Sequence, residues 1–133
     1  MLECLIVGDS IAVGTHQFKQ ECAMYAKGGI NTKQWLDKNI QNTPLQAKTV
    51  IISLGSNDHK YVKTESDLRT IRQLTKADRV YWILPAIKPD IQEIVKRVAA
   101  ENGDTVLPIK SLQPDGIHPS WAGYKDIVAK TKN

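Results

Sequence analysis

One apolar run constrains the fold of this chain more than any other feature of its sequence. The run TVIISL, at positions 49–54, places apolar and β-branched residues at consecutive positions and not at alternate ones. A strand with this pattern has both faces buried, which is typical of a parallel sheet covered by helices. The run therefore favours an α/β fold.

Strand-like and helix-like segments alternate along the 133 residues. We predict strands at 2–7, 22–26, 49–54, 79–84 and 105–107. We predict helices at 12–20, 32–40, 64–76, 89–102 and from Pro119 onward, with Thr64 as a helix cap. This order predicts one domain over 1–133, a three-layer α/β/α sandwich with about five parallel strands in flavodoxin-like order.

Charge and hydropathy argue against several classes of protein. The net charge is +4, and the lysines are spread along the chain without a basic run interleaved with aromatic residues, so we expect no nucleic-acid partner. No apolar stretch is long enough to span a membrane, and the first residues lack a signal-peptide pattern. We therefore expect a cytoplasmic protein, and release of a phage-encoded protein by lysis stays open as an alternative.

The cysteines and tryptophans have simple interpretations. Cys4 and Cys22 lack zinc-binding spacing, and their apolar surroundings favour two buried free thiols, although a disulfide is possible if their strands are neighbours. Trp35 and Trp82 are expected in the core, whereas Trp121, close behind His118, is the best candidate for a binding role.

Small or reactive residues follow four of the five predicted strands. These segments are GDS at 8–10, KGGINT at 27–32, GSND at 55–58 and PDGIHP at 114–119. Because the carboxyl ends of parallel strands meet at one edge of the sheet, we expect the four segments to form one site.

The residue types in these segments suit nucleophilic catalysis. The hydroxyl of Ser10 needs a base, and His118 is the candidate, with Asp115 three residues earlier to orient its ring. The backbone N–H groups of Ser10 and Gly29 and the side-chain amide of Asn57 could stabilise an oxyanion.

The four segments, in this order, resemble the sequence blocks of the SGNH (GDSL-like) hydrolases and spread over positions 10–118. The resemblance implies a serine esterase that needs no cofactor or metal. It also implies the site residues Ser10, Gly29, Asn57, His118 and Asp115.

Two features of the sequence qualify this resemblance. Gly28 competes with Gly29 for the oxyanion role; Gly29 is preferred because Thr32 follows it, as a threonine or serine often does in the family. The chain is short for the family and lacks a long insertion. We therefore expect a small acyl ester as substrate, such as an acetyl ester on a carbohydrate.

Two other functions fit the same sequence. The chain could be a non-catalytic ligand- or glycan-binding module on the same scaffold. It could also be a flavodoxin-like binder of an anion or nucleotide, held by GGINT at a helix start. A metal site built from Asp9, Asp58, Asp115 and His118 is disfavoured, since these residues lack helical ligand spacing. Asp9 and Asp58 are expected to stabilise turns.

The other two histidines lack a comparable partner. His16 is expected at the surface, and His59, which follows GSND, is a candidate for the mouth of the site.

Overall fold

Strands and helices alternate along residues 1–132, which the computed structural model describes. The strands are β1 Leu2–Gly8, β2 Ala23–Ala26, β3 Leu45–Ser53, β4 Thr75–Lys76, β5 Arg79–Ile83 and β6 Thr105–Leu107. The helices are α1 Ser10–Gln17, α2 Thr32–Asn39, α3 Thr64–Gln73, α4 Pro89–Glu101 and α5 Trp121–Lys130, with a 3₁₀ turn at Ile40–Asn42. None of the described helices is long and apolar enough to cross a membrane.

The strands form one parallel sheet in the order β2-β1-β3-β5-β6, and the two-residue β4 pairs only with β3. The predicted α/β fold with about five parallel strands is confirmed.

Two apolar clusters cover the two faces of this sheet. In β1, Leu5 and Val7 belong to the cluster that includes residues of α2, α3 and α4, whereas Cys4 and Ile6 belong to the cluster with α1 and α5. This division explains the unbroken apolar runs of the central strands, because a two-sided core needs apolar side chains at successive positions. The first cluster also contains the two buried tryptophans, Trp35 and Trp82.

Several helix boundaries differ from the predicted ones. Helix α1 spans Ser10–Gln17 and not 12–20, because Asp9 caps it at its start. Helix α3 ends at Gln73 because the backbone carbonyl of Leu74 accepts from the N–H of Leu45, at 2.8 Å, and Thr75–Lys76 then pairs with β3. Thr64 does not cap α3; it is the first helical residue. Helix α5 begins at Trp121 and not at Pro119, because the Ser120 hydroxyl accepts from the Gly123 N–H and caps the helix.

Cys4 and Cys22 form a disulfide, so the prediction of two free thiols is wrong. Cys4 lies in β1 and Cys22 lies immediately before β2, and these two strands are parallel neighbours. The pairing of the strands brings the two Cα atoms to 4.7 Å, within the range that a disulfide spans.

Reduction of this disulfide is expected to lower the free energy of unfolding. The bond closes a loop with a sequence separation of 18, for which the loss of denatured-state entropy corresponds to about 3 kcal/mol. Urea unfolding with and without dithiothreitol measures the effect. The double variant Cys4→Ala/Cys22→Ala is the control and should not respond to dithiothreitol; an unchanged wild-type midpoint would contradict the prediction.

The backbones of β1 and β3 approach closely at the carboxyl edge of the sheet. Gly8 pairs with Ser53 and has φ of 141°, and a β-carbon at Gly8 would lie 1.8 Å from the Ser53 carbonyl oxygen. The same oxygen accepts from the Asp9 N–H at 3.0 Å. Only glycine fits this position, and the contact fixes where the chain leaves β1.

Gly8→Ala is expected to destabilise the protein by at least about 3 kcal/mol, because the new methyl group clashes with backbone and not with a movable side chain. Chemical denaturation measures the change. Gly103→Ala is the matched control: Gly103 also has a positive φ, of 68°, but a β-carbon there meets open space. The control should cost about 1 kcal/mol. Equal losses in both variants would show that the clash is unimportant.

Candidate active site

Ser10 lies at the start of α1, two residues after the end of β1. The Asp9 carboxylate caps α1 by accepting from the Ile11 N–H at 3.0 Å, so Ser10 is the first helical residue. At that position its backbone N–H has no acceptor within the helix. The half-buried Ser10 hydroxyl lies 2.8 Å from Nε2 of His118, which is 108 positions later in the chain.

Asp115 contacts the other side of the same imidazole. Its Oδ2 lies 2.6 Å from Nδ1 of His118, and its Oδ1 accepts from the backbone N–H groups of Ile117, at 2.9 Å, and His118, at 3.0 Å. The two backbone hydrogen bonds, followed by the bond from the His118 ring, lower the pKa of Asp115 to about 2. Since an ionised carboxylate only accepts, Nδ1 of neutral His118 carries the proton and Nε2 is left to accept from Ser10.

The segment that carries His118 is held at both ends. Leu112 and Pro119 form an isolated antiparallel bridge, and the Gln113 N–H donates to the His118 carbonyl at 2.8 Å. The Gln113 side chain also donates to the Pro119 carbonyl at 3.0 Å. These contacts fix the backbone on both sides of the imidazole.

A turn at Lys27–Ile30 lies against Ser10. The Ile30 N–H donates to the Lys27 carbonyl at 3.4 Å, and Gly29 has φ of 77°, which favours glycine. A β-carbon at Gly28 would lie 3.8 Å from the β-carbon of Ser10. Neither the Gly28 nor the Gly29 N–H donates to another described residue. The turn thus places Gly28 beside Ser10, and the choice of Gly29 over Gly28 for the oxyanion role stays a prediction.

Asn57, half-buried after β3, contacts this turn directly. Its side-chain Nδ2 donates to the Ile30 carbonyl at 3.0 Å. An amide NH₂ has two hydrogens, and the second has no acceptor among the described residues. The predicted site residues Ser10, Asp115 and His118 are therefore joined by hydrogen bonds, and Asn57 is joined to the glycine turn.

Asp58 connects three segments at the edge of the site. Its buried carboxylate accepts from the backbone N–H of Thr32 at 2.8 Å, from the Thr32 hydroxyl at 2.6 Å and from the Thr64 hydroxyl at 2.8 Å. The sequence predicts only a turn hydrogen bond for Asp58. The structure gives this carboxylate a larger part, since it ties the loop after β3 to the starts of α2 and α3.

The remaining candidates lie in varied surroundings. His16 is half-buried and not at the surface as predicted, because its Nε2 lies 2.9 Å from the Cys22 carbonyl oxygen. His59 is exposed and lines a cavity of about 520 Å³ beside Asp58. Trp121 is 75% exposed.

Within residues 1–132, no three His, Cys, Asp or Glu side chains are grouped so as to hold a metal ion.

Comparison with known proteins identifies the architecture. No protein-family model and no curated protein sequence matches this chain. A solved GDSL-like lipase from Bacteroides thetaiotaomicron superposes with a TM-score of 0.72 at 21% identity, over 96% of this chain and 84% of that chain. The chain has the SGNH hydrolase fold.

Two further structures with this SGNH fold carry more specific names. The catalytic domain of peptidoglycan O-acetyltransferase A from Streptococcus pneumoniae has a TM-score of 0.61 and 20% identity, over 97% of this chain and 91% of that chain. An acetyl xylan esterase from Butyrivibrio proteoclasticus has a TM-score of 0.58 and 11% identity, over 96% of this chain and 61% of that chain. At these identities the likeness concerns the fold, and the roles of the site residues stay predictions.

Gly14 and Tyr124, which belong to none of the four sequence segments, set the packing of two helices beside the site. A β-carbon at Gly14 would lie 2.2 Å from the Tyr124 hydroxyl, so α1 and α5 meet at this pair. Helix α1 begins with Ser10 and α5 follows His118, and the close contact sets how far apart the two lie. A glycine within a helix four residues after the serine is the sequence signal for such an approach.

Asp9 is a buried carboxylate next to Ser10. Its Oδ1 accepts from the Ile11 N–H and, at 3.1 Å, from the Ser53 hydroxyl, but its Oδ2 has no hydrogen-bond partner among the described residues. Burial raises the pKa of Asp9 to about 6, from an ordinary value of 3.8. The charged form of this carboxylate therefore destabilises the fold.

Asp9→Asn is expected to stabilise the protein above pH 6 and to change little near pH 4. The folded state binds a proton at Asp9 between pH 6 and 4 that the unfolded state releases, so the contribution of Asp9 to stability rises as pH falls. Asparagine keeps the capping oxygen without the charge, and the gain at pH 7.5 should be roughly 3 kcal/mol. Urea unfolding at pH 4, 6 and 7.5 measures it.

The exposed acid Asp90, in the first turn of α4, supplies the control for this experiment. Asp90→Asn should change stability little across the range. A gain from Asp9→Asn that is the same at all three pH values would contradict the assignment of the raised pKa to Asp9.

Proposed function

We propose that the protein is a serine esterase that hydrolyses a small acyl ester through an acyl-enzyme at Ser10. The observation that carries the proposal is the continuous hydrogen-bonded series from the Ser10 hydroxyl through His118 to Asp115, at 2.8 and 2.6 Å. This arrangement suits proton removal from a serine, because the base has one free acceptor nitrogen and a fixed tautomer.

Acylation would begin with attack of Ser10 Oγ on the ester carbonyl carbon. The hydroxyl proton moves to Nε2 of His118, and Asp115 stabilises the imidazolium that forms. The carbonyl oxygen becomes an oxyanion, which the N–H groups of Ser10 and Gly29 and the amide of Asn57 would hold. The intermediate then collapses, the bond to the alcohol oxygen breaks, and His118 gives its proton to that oxygen.

Deacylation would repeat these steps with water. His118 takes a proton from a water molecule as the water oxygen attacks the acyl carbon, and the oxyanion occupies the same site. Collapse releases the carboxylic acid and breaks the bond to Ser10 Oγ, which recovers a proton from His118. No metal or organic cofactor takes part in this scheme.

Several observations support an acetyl ester on a carbohydrate as the substrate. Gly28 and Gly29 are exposed beside Ser10, which suits a small acyl group on a bulky, solvent-facing alcohol. Trp121, three residues after His118, is 75% exposed, and Tyr61, in the loop after Asn57, is 80% exposed. Exposed aromatic rings offer apolar faces to sugar rings. Two structures with the same fold bear the names of enzymes of acetylated glycans.

The disulfide supports a place of action outside the reducing cytoplasm, in contrast to the expectation from the sequence. Disulfides such as Cys4–Cys22 persist mainly in oxidising compartments. An acetylated glycan outside the cell fits the same setting.

Ser10→Ala is expected to abolish both hydrolysis of 4-nitrophenyl acetate and labelling by a fluorophosphonate probe. The variant removes only the attacking oxygen, and loss of a catalytic nucleophile typically costs 10⁴-fold or more in kcat. Ser66→Ala is the matched control, because Ser66 is an exposed serine in α3 and should leave both signals unchanged. Measurements use the oxidised protein, by absorbance and by in-gel fluorescence.

The outcomes separate the competing functions. Labelling and turnover that survive in Ser10→Ala would overturn the esterase proposal. Binding of acetylated xylan by the wild type without release of acetate would favour the non-catalytic glycan-binding module. Turnover of 4-nitrophenyl acetate without release of acetate from a panel of acetylated glycans would retain the chemistry and overturn the carbohydrate substrate.

A further inference from the structure

Lys88 connects the loop after β5 to the loop that carries Asn57. Its Nζ donates to the backbone carbonyl of Ser56 at 2.8 Å and to that of Asp58 at 2.7 Å. These two carbonyls belong to the residues on either side of Asn57. One ammonium group therefore holds the backbone before and after the predicted oxyanion donor.

The backbone of Lys88 has an unfavourable conformation. With φ of 63° and ψ of 83°, Lys88 is the only non-glycine residue with a positive φ between positions 1 and 132. A β-carbon makes this region costly, and glycine would adopt it more easily. Residues with such strain persist where the surrounding structure requires their side chain, and they cluster at functional sites.

The start of α4 does not explain why position 88 is a lysine. Lys88 occupies the N-cap position of α4, but its side chain makes no capping hydrogen bond. Pro89, at the first position of α4, already suits a helix start. The ammonium is instead directed to the carbonyls of Ser56 and Asp58, both of which are buried residues, and carbonyls of buried residues are nearly always hydrogen-bonded.

The other contacts of the Asn57 segment explain why both carbonyls matter. The Asp58 carboxylate accepts from the backbone N–H of Thr32, and the Asn57 side chain donates one amide hydrogen to the Ile30 carbonyl. These bonds fix the side chains of the segment. The direction of the second amide hydrogen, which would meet the oxyanion, also depends on the backbone on both sides of Asn57, and Lys88 fixes that backbone.

We propose that Lys88 is a positioning residue that holds Asn57 in the orientation required to stabilise the oxyanion. The proposal rests on the proposed esterase function and deepens it. Lys88 touches no reacting atom and acts through Asn57 alone. Its loss should therefore affect the transition state more than substrate binding, because an oxyanion donor is effective only in the correct geometry.

Lys88→Met and Lys88→Gly are expected to lower kcat and kcat/KM for 4-nitrophenyl acetate together, by about tenfold. Lys88→Gly separates this effect from a structural one. It relieves the backbone strain, so its Tm should equal or exceed that of Lys88→Met while its kcat is equally low. Lys88→Arg, which retains several N–H donors, should recover part of the lost kcat. Lys96→Met is the matched control, because Lys96 is an exposed lysine of α4 and its loss should leave kcat unchanged.

A double-mutant cycle tests whether Lys88 acts through Asn57. In the Asn57→Ala background, Lys88→Met should cause no further loss of kcat, because there is no amide left to position. Full wild-type kcat in both Lys88→Met and Lys88→Gly would overturn the proposal. A tenfold loss from Lys88→Met that persists in the Asn57→Ala background would overturn it as well.

Hydrogen exchange over residues 55–59 provides a readout that needs no substrate. Lys88→Met should raise exchange in this segment relative to the wild type, and Lys96→Met should not. Unchanged exchange in Lys88→Met would overturn the proposal even if Ser10 is catalytic. Failure of the esterase function itself appears separately, as hydrolysis that survives in Ser10→Ala.

Discussion

The contact between the backbones of β1 and β3 at Gly8 is the constraint on which the rest of the site depends. Gly8 lies between Ala26 and Ser53 in the register of the sheet, so three strands reach their carboxyl ends at the same level. The loops that leave these strands therefore begin side by side. A slip of one residue in β1 would displace Ser10 by about 3.3 Å and would exchange the side chains of β1 between the two apolar clusters.

Beyond the sheet, charged groups hold the loops of the site together in addition to apolar contacts such as those of Ile30. The carboxylates of Asp58 and Asp115 and the ammonium of Lys88 each bond to backbone groups of a loop. Short polar loops offer little apolar surface to bury, and bonds to a charged group are stronger than neutral ones. Asp9 differs from these groups, because one of its carboxylate oxygens has no partner in the described part of the chain.

Much of this arrangement is predictable from the sequence because the signals are local. The unbroken apolar run at 49–54 indicates a two-sided sheet, and parallel strands bring GDS, GSND and PDGIHP to one edge whatever the details of packing. The hydrogen bonds that join Ser10 to His118 and His118 to Asp115 agree with that reasoning.

Other features depend on relations between distant segments that a sequence does not display. The disulfide can be predicted only if β1 and β2 are known to be neighbours. Strand β4 has only two residues, which is too short to show a hydrophobic pattern. Lys88 looks like any lysine before a proline. Its importance arises only because the loop after β5 passes beside the loop after β3, within reach of a four-carbon side chain.

The position of the disulfide has a consequence for the integrity of the chain. Cys4 and Cys22 enclose all of α1, so the segment that carries Ser10 lies inside a covalent ring. A protease that cuts any peptide bond between the two cysteines would open the ring without releasing a fragment. Ser10 would stay attached to both β1 and β2 and could return to its place beside the sheet, which is an advantage for a protein exposed to proteolysis.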